Sequence, residues 1–252
     1  MQWAIERFVD TYGVDLSVAI ETNPANYPSF NAFFTRALRT GTRPLQGDAH
    51  TVISPVDGTI SQIGRIINDR IIQAKGHHFS AHELLGGISE SAAFCHGEFA
   101  TIYLSPKDYH RIHMPIKGTL RQMIHVPGQL FSVNTATAQK IPNLFARNER
   151  VACLFDTELG PMAVVLVGAL NVGSIETVWA GEVTPPTAQN IQYSHYYDQE
   201  ITLNRGDELG HFNMGSTVIL LFSENRITWD AQHQIGLSLK MGQTLGTAHH
   251  PD

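Results

Sequence analysis

From Thr51 onward the chain is a succession of short runs rich in β-branched and aromatic residues, each closed by turn residues. No other feature constrains the fold as strongly. The clearest runs are 59–67, 70–74, 101–104, 119–126, 150–155, 162–167 and 217–222. Asn68-Asp69 predicts a hairpin joining the first two, and the turn 156–161 predicts another between 150–155 and 162–167. The first forty residues read differently. Ile5, Phe8, Val9 and Tyr12 fall at i, i+3, i+4, i+7, which predicts a helix, and Gly13 is placed to stop it. Ser29 is a good N-cap for a second helix carrying Phe30, Phe33, Phe34 and Ala37 and ending at Gly41. The expected class is α+β: a short helical N-terminal segment, residues 1–44, followed by a β-rich, mainly antiparallel body, residues 45–252. The stretch 184–197, with Pro185-Pro186 and little periodicity, reads as a long or mobile loop.

Composition narrows the function classes. A chain with 42% hydrophobic and 16% charged residues is too apolar to be disordered. Its net charge of −6 argues against a nucleic-acid partner and against attachment to membranes by bulk positive charge. Cys95 and Cys153 sit in apolar settings without Cys-x-x-Cys spacing, and read as buried thiols of a reducing compartment. The start of the chain has no secretory pattern, and the longest apolar stretch, 162–170, is about half of the ~20 residues a spanning helix needs. A soluble or surface-bound protein is expected.

Thirteen histidines make any single one uninformative. His77, His78 and His82 have spacings a metal could use, but no carboxylate or cysteine completes a ligand set, and a polar loop is the plainer reading. His110 and His113, three apart in Tyr109-His110-Arg111-Ile112-His113-Met114-Pro115, can face one pocket or simply face solvent. Asp57, in Pro55-Val56-Asp57-Gly58, is either an aimed carboxylate or ordinary turn chemistry. Gly215-Ser216-Thr217 leads into an apolar strand, where the Gly-Ser step is a plain bulge or a strained bond presenting a hydroxyl. Asp57, His113 and Ser216 together supply an orienter, a base and a hydroxyl nucleophile, and no Gly-x-Ser-x-Gly elbow is present. Spacing alone does not say whether the three meet.

These segments resemble the phosphatidylserine decarboxylase family of bacteria and mitochondria. Phe33-Phe34-Thr35-Arg36 with Arg43-Pro44-Leu45 resembles its early signature, Pro55-Val56-Asp57-Gly58 its aspartate turn, and Ala74-Lys75-Gly76-His77 the loop that follows. Residues 109–115 resemble its histidine motif and Gly215-Ser216-Thr217 its cleavage motif, while 143–150 and 173–177 also match. The resemblance runs in order from Phe33 to Phe222. Met214 stands where the family usually has leucine, a conservative apolar exchange. The chain also starts inside the family's usual N-terminus, without its basic and apolar lead-in.

The resemblance implies a pyruvoyl-dependent carboxy-lyase that converts phosphatidylserine to phosphatidylethanolamine. It implies that Ser216 attacks the Gly215 carbonyl, with His113 as base and Asp57 as its orienter, and Asp108 as a second orienter. Cleavage would leave a β chain of residues 1–215 and an α chain of residues 216–252, with a pyruvoyl group made from Ser216 as the electron sink. His110 is the candidate for proton transfer in decarboxylation, and Thr217 supports the cleavage motif. Lys75, Arg111 and Arg147 are the candidate phosphate ligands. The expected partners are phosphatidylserine in a membrane, the sister chain of the same precursor and a second copy as a homodimer. The expected place is the cytoplasmic face of the bacterial cell membrane, bound peripherally through the aromatic helices of residues 1–44. Alternatives are a pyruvoyl decarboxylase of a soluble amino acid, a Ser-His-Asp hydrolase and a lipid-binding relative that does not process.

Overall fold

The computed structural model describes residues 1–170, 174–184, 189–213 and 216–249. Its centre is an antiparallel sheet running Gln192–His195, Gly118–Val126, Arg150–Thr157, Gly160–Val167, Ser216–Phe222, Glu98–Leu104, Gly58–Arg65 and Ser238–Leu239, with Thr202–Leu203 also paired to Gly118–Val126. Side chains alternate across a strand, so each central strand feeds two cores. Val218, Leu220 and Phe222 join Ile102, Leu104, Val164 and Leu166 on one face, and Ile219 and Leu221 join Phe99, Ala163 and Val165 on the other. Burial on both faces is why residues 218–222 are continuously apolar rather than alternating.

Three smaller sheets flank this core. Gly181–Glu182, Ile175–Thr177, Glu208–Phe212 and Arg111–His113 form one, and Thr51–Ile53, Thr244–Ala248 and Ile227–Trp229 form another. Arg70–Ala74 and His77–Ser80 form the third, turning through Gly76 at φ +82. The mainly antiparallel α+β architecture agrees with the sequence reading.

The N-terminal segment is held by aromatic packing. Helix Gln2–Tyr12 ends at Gly13 in the left-handed region, and its Ile5 is wholly buried in a small core with Val14 and Phe33. The second helix is capped by the Ser29 hydroxyl as predicted, but it runs only from Phe30 to Phe34. It stops because the next residues are claimed elsewhere. The Thr35 carbonyl accepts from Arg111, and Leu38 forms a bridge with Ala19.

Three further expectations are corrected. Asn68 and Asp69 do make a tight left-handed turn, bridging Ile67 to Arg70, but the hairpin does not continue. Gly58–Arg65 pairs with Glu98–Leu104, and Arg70–Ala74 pairs with His77–Ser80. His77 and His78 therefore lie on a strand rather than a loop, while His82 Nδ1 is 2.8 Å from the Ser91 hydroxyl. The expected loop 184–197 contains the edge strand Gln192–His195, and its Pro185-Pro186 lies outside the described residues. Both cysteines are free thiols, Cys153 buried and Cys95 half-buried. Among the described residues, no helix is long and apolar enough to cross a membrane.

Strand Glu208–Phe212 joins Ile175–Thr177 to Arg111–His113, and at Gly210 the backbones press close together. A Cβ at Gly210 would sit 2.1 Å from the Glu176 carbonyl oxygen. Gly210→Ala is expected to lower stability by about 1–3 kcal/mol, read as a drop in Tm by calorimetry. An unchanged Tm would show that this sheet is not packed as described.

Candidate active site

Asp57 lies in the turn after Thr51–Ile53 and is 1% exposed. Arg43 grips it with two bonds, Nε to Oδ1 at 2.8 Å and Nη2 to Oδ2 at 2.5 Å. The Met241 backbone N–H donates to Oδ1 at 2.9 Å, and Lys240 Nζ to Oδ2 at 3.2 Å. Burial alone would raise this carboxyl, but the hydrogen bonds from Arg43 and Met241 outweigh it and hold the group below the usual carboxylate range.

His113 does not donate to Asp57, the orienter that the resemblance implies. With its carboxylate engaged by Arg43, Lys240 and Met241, Asp57 reaches His113 only through its charge. His113 is oriented instead by the Gly206 carbonyl, to which Nδ1–H donates at 2.9 Å. That leaves a lone pair on Nε2, which lies 3.0 Å from the Tyr109 hydroxyl and accepts its proton. Burial lowers the His113 pKa and raises that of Tyr109, so the imidazole is neutral and the phenol protonated.

His110 is fully buried, with Phe34 stacked on its ring at 4.0 Å. Its Nε2–H donates to the Ser105 carbonyl at 3.1 Å, and Nδ1 has no partner among the described residues. Burial, aided by the nearby Arg36 charge, pushes its pKa down to about 3. Asp108 does not orient either imidazole: its Oδ2 accepts from the Ser105 N–H and hydroxyl at 2.8 and 2.6 Å. It acts one step back, fixing the turn whose carbonyl holds His110.

Ser216 opens the central strand, its backbone paired with Leu104, the residue before Ser105. The other side of the predicted break is held as well. The Phe212 N–H donates to the His110 carbonyl at 3.1 Å, and the Asn213 side chain donates to Glu176 and Ser174 at 2.6 Å and accepts from Asn31 at 2.9 Å. Thus His110 is bonded both to the neighbour of Ser216's strand partner and to the residue three before Gly215. Met214, Gly215 and the Ser216 side chain lie outside the described residues. Thr217 Oγ1 is buried and without a partner among those described.

The three expected phosphate ligands are not brought together. Arg111 is engaged by the Thr35 carbonyl and Glu208 at 2.9 Å each. Lys75 sits exposed in the turn after Arg70–Ala74, and Arg147 on the short helix Leu144–Arg147 lies over Phe131. Those two elements pack on one face of the central sheet, while Arg111–His113 packs on the other. Sequence reasoning also missed partners. It gave no role to Tyr109 or Arg43, although both stand in motifs already singled out, and Lys240 carried no signal because it lies 183 residues from Asp57.

The model of the family described as phosphatidylserine decarboxylase matches residues 30–247. The chain belongs to the phosphatidylserine decarboxylase family. It is 63% identical over 219 residues to a phosphatidylserine decarboxylase proenzyme of Alkalilimnicola ehrlichii, covering 86% of this chain and 76% of that one. Similar proteins of the same name occur in Marinobacter nauticus, at 54% identity over 96% of this chain and 85% of the relative, and in Stutzerimonas stutzeri, at 57% over 97% and 83%. The matched span takes in every candidate-site residue described in this section.

Burial of neutral histidines makes the fold acid-sensitive. Both pKa values are lowered on folding, so below the ordinary histidine value of ~6.5 the unfolded chain binds protons first. Stability is expected to fall by up to about 1.4 kcal/mol per pH unit for each group as pH drops below ~6.5. Asp57 adds its own loss below about pH 4, because its contribution is complete only above the unfolded value of ~3.9. Denaturant unfolding at pH 7.5, 6 and 5 should show this slope, and His110→Phe should shrink it. A flat profile for the parent chain would mean that His110 is not buried neutral.

Proposed function

We propose that this chain is the proenzyme of a phosphatidylserine decarboxylase, which cuts itself between Gly215 and Ser216 and then converts phosphatidylserine to phosphatidylethanolamine and carbon dioxide. The observation that carries this reading is the setting of Ser216. Its strand partner adjoins the residue that holds His110, a buried neutral imidazole with one nitrogen open among the described residues.

In self-cleavage the Ser216 hydroxyl attacks the Gly215 carbonyl, giving an ester in place of the amide. A hydroxyl is a weak nucleophile near pH 7 and needs a base. His113 suits that role: it is neutral, its Nδ1–H is fixed by Gly206, and its Nε2 lone pair is covered only by the Tyr109 hydroxyl. The proton that His113 acquires makes an imidazolium, which the nearby negative charge of Asp57 stabilises. Glycine at 215 offers the carbonyl without side-chain obstruction. Elimination of the ester then frees a β chain of residues 1–215, and hydrolysis of residue 216 with loss of ammonia starts the α chain, residues 216–252.

The resulting pyruvoyl group would supply the electron sink for loss of carbon dioxide, which no unmodified side chain provides. The surroundings fit it, since His110, held by the residue next to the strand partner of Ser216, has a buried Nδ1 that lacks a partner among the described residues. His110 is the group that moves protons during decarboxylation. Its Nε2–H is fixed by Ser105, so Nδ1 is the atom that takes and returns the proton. Phe34 over the ring keeps water away from that exchange.

Access to a lipid substrate falls to the first helix. Ile5 anchors it to the body while Trp3 is 72% exposed and Met1 69% exposed, leaving apolar groups free to enter a bilayer surface. Peripheral residence on the cytoplasmic face and pairing with a second copy belong to the same proposal.

Denaturing mass spectrometry of the purified protein tests the first step. Two fragments split after Gly215 are expected, the smaller of 37 residues and lighter by one ammonia than a serine-started peptide. A single intact chain that labels with a fluorophosphonate at Ser216 would replace this reading with a hydrolase. Trp3→Glu is expected to weaken binding to phosphatidylserine vesicles without slowing cleavage. Unchanged vesicle binding would remove the first helix from membrane contact.

A further inference from the structure

Between the N-terminal segment and the body lies a cavity of about 240 Å³, lined among others by Arg36, Arg43, Asp57, Lys107, Asp108 and Lys240. It is smaller than the ~300–1,000 Å³ of drug-sized pockets and suits a headgroup-sized ligand. A roomier cavity of about 420 Å³, lined by Leu45, Ile116, Leu159 and Arg205, contains no residue of the candidate site.

Arg36 is the anomaly in the smaller cavity. It is 5% exposed, with its guanidinium 5.5 Å from the centre of the Phe33 ring. Nη2 donates to the carbonyls of Lys107 and Asp108 at 3.0 and 3.3 Å, but Nε and Nη1 have no acceptor among the described residues. The acids around the cavity do not supply one. Asp57 is engaged by Arg43, Lys240 and Met241, and Asp108 by Ser105. Asp15, also at the cavity, accepts from the Ser17 N–H. A buried cation without an acidic partner is costly unless an anion completes it. Lys107 and Lys240 are both exposed at the same cavity, so positive charge lies on the way in as well as at the buried end. Tyr109 also lines the cavity and donates to His113, which joins this space to the candidate active site.

We propose that this cavity is a phosphate site, in which Arg36, with Lys107 and Lys240, receives either the phosphodiester of the lipid headgroup or a free phosphate. Arg36 follows the short helix whose Phe34 covers His110, so an occupied site would brace the N-terminal segment against the reacting end of the substrate. The lipid arm rests on the function proposed above, and the free-phosphate arm does not.

Calorimetric titration of the purified full-length protein with inorganic phosphate and with glycerophosphoserine, and with serine as the phosphate-free control, tests the site. Kinetics on phosphatidylserine micelles then separate the two sources. Saturable binding of a phosphate compound but not of serine is expected, weakened at least tenfold in Arg36→Met and in Lys107→Glu. Lys107 is exposed, so the second variant keeps the test valid if removal of the buried arginine prevents folding. A rise of tenfold or more in KM with kcat and self-cleavage preserved assigns the site to the lipid headgroup. Lost phosphate binding with unchanged KM assigns it to free phosphate. Absence of phosphate-specific binding to the parent protein, or parental affinity in a folded variant, overturns the proposal. A protein that binds phosphate yet makes no phosphatidylethanolamine would refute the proposed function and leave this site standing.

Discussion

One buried carboxylate gathers three distant parts of the chain. Asp57 sits in the body, Arg43 comes from the end of the N-terminal segment, and Lys240 with the Met241 N–H comes from the last thirteen residues. A carboxylate at 1% exposure is tolerable only with such partners, because an unpaired buried charge costs several kcal/mol. The same four bonds fix where the N-terminal segment rests. From there Phe34 reaches His110, Asn31 reaches Asn213 and Thr35 takes the Arg111 guanidinium. A residue that sequence reading placed as the orienter of a histidine thus orders the site from further back, by holding together the walls that bury both histidines.

That burial decides the chemistry available to each ring. Neither imidazole relies on a carboxylate for its orientation: backbone carbonyls of Gly206 and Ser105 fix the protonated nitrogens, and burial keeps the rings neutral. The two then differ in what meets the free lone pair. Tyr109 covers that of His113, whereas that of His110 is open among the described residues. Two histidines three apart in the chain are given different environments, which is the physical basis for assigning them different steps.

Much of this arrangement was legible in the sequence, and what was not has a common cause. The strands 119–126, 150–155, 162–167 and 217–222 were readable because each carries enough β-branched and apolar residues to bury itself on two faces. The turn at Asn68-Asp69 was readable from local backbone preference, but its strands found partners elsewhere, since pairing is settled by tertiary packing and not by the turn. The second helix was overestimated for the same reason: the spacing of Phe30, Phe33, Phe34 and Ala37 extends it, yet Thr35, Arg36 and Leu38 are each recruited by another segment. In the site, the sequence reading named Asp57, His110 and His113 but not the partners that hold them. Nothing local to Asp57 announces Lys240, and nothing local to Arg36 announces that two of its nitrogens will be buried without an acceptor among the described residues.

The position of the proposed break explains how one chain can become two without coming apart. The 37 residues from 216 onward begin with Ser216–Phe222, which lies between Gly160–Val167 and Glu98–Leu104 and is hydrogen-bonded on both sides. Further along, Ser238–Leu239 pairs with Gly58–Arg65, and Thr244–Ala248 pairs with Thr51–Ile53. Lys240 and Met241 add the bonds to Asp57. A cut at the first residue of a central strand removes no rung of the ladder that follows it, and the buried Val218, Leu220 and Phe222 on one face with Ile219 and Leu221 on the other resist extraction. The new end would therefore stay where the strand places it, beside Leu104 and the turn that holds His110. The proposed break falls at the end of a buried strand, where it would change the chemistry of the site and leave the packing of that strand intact.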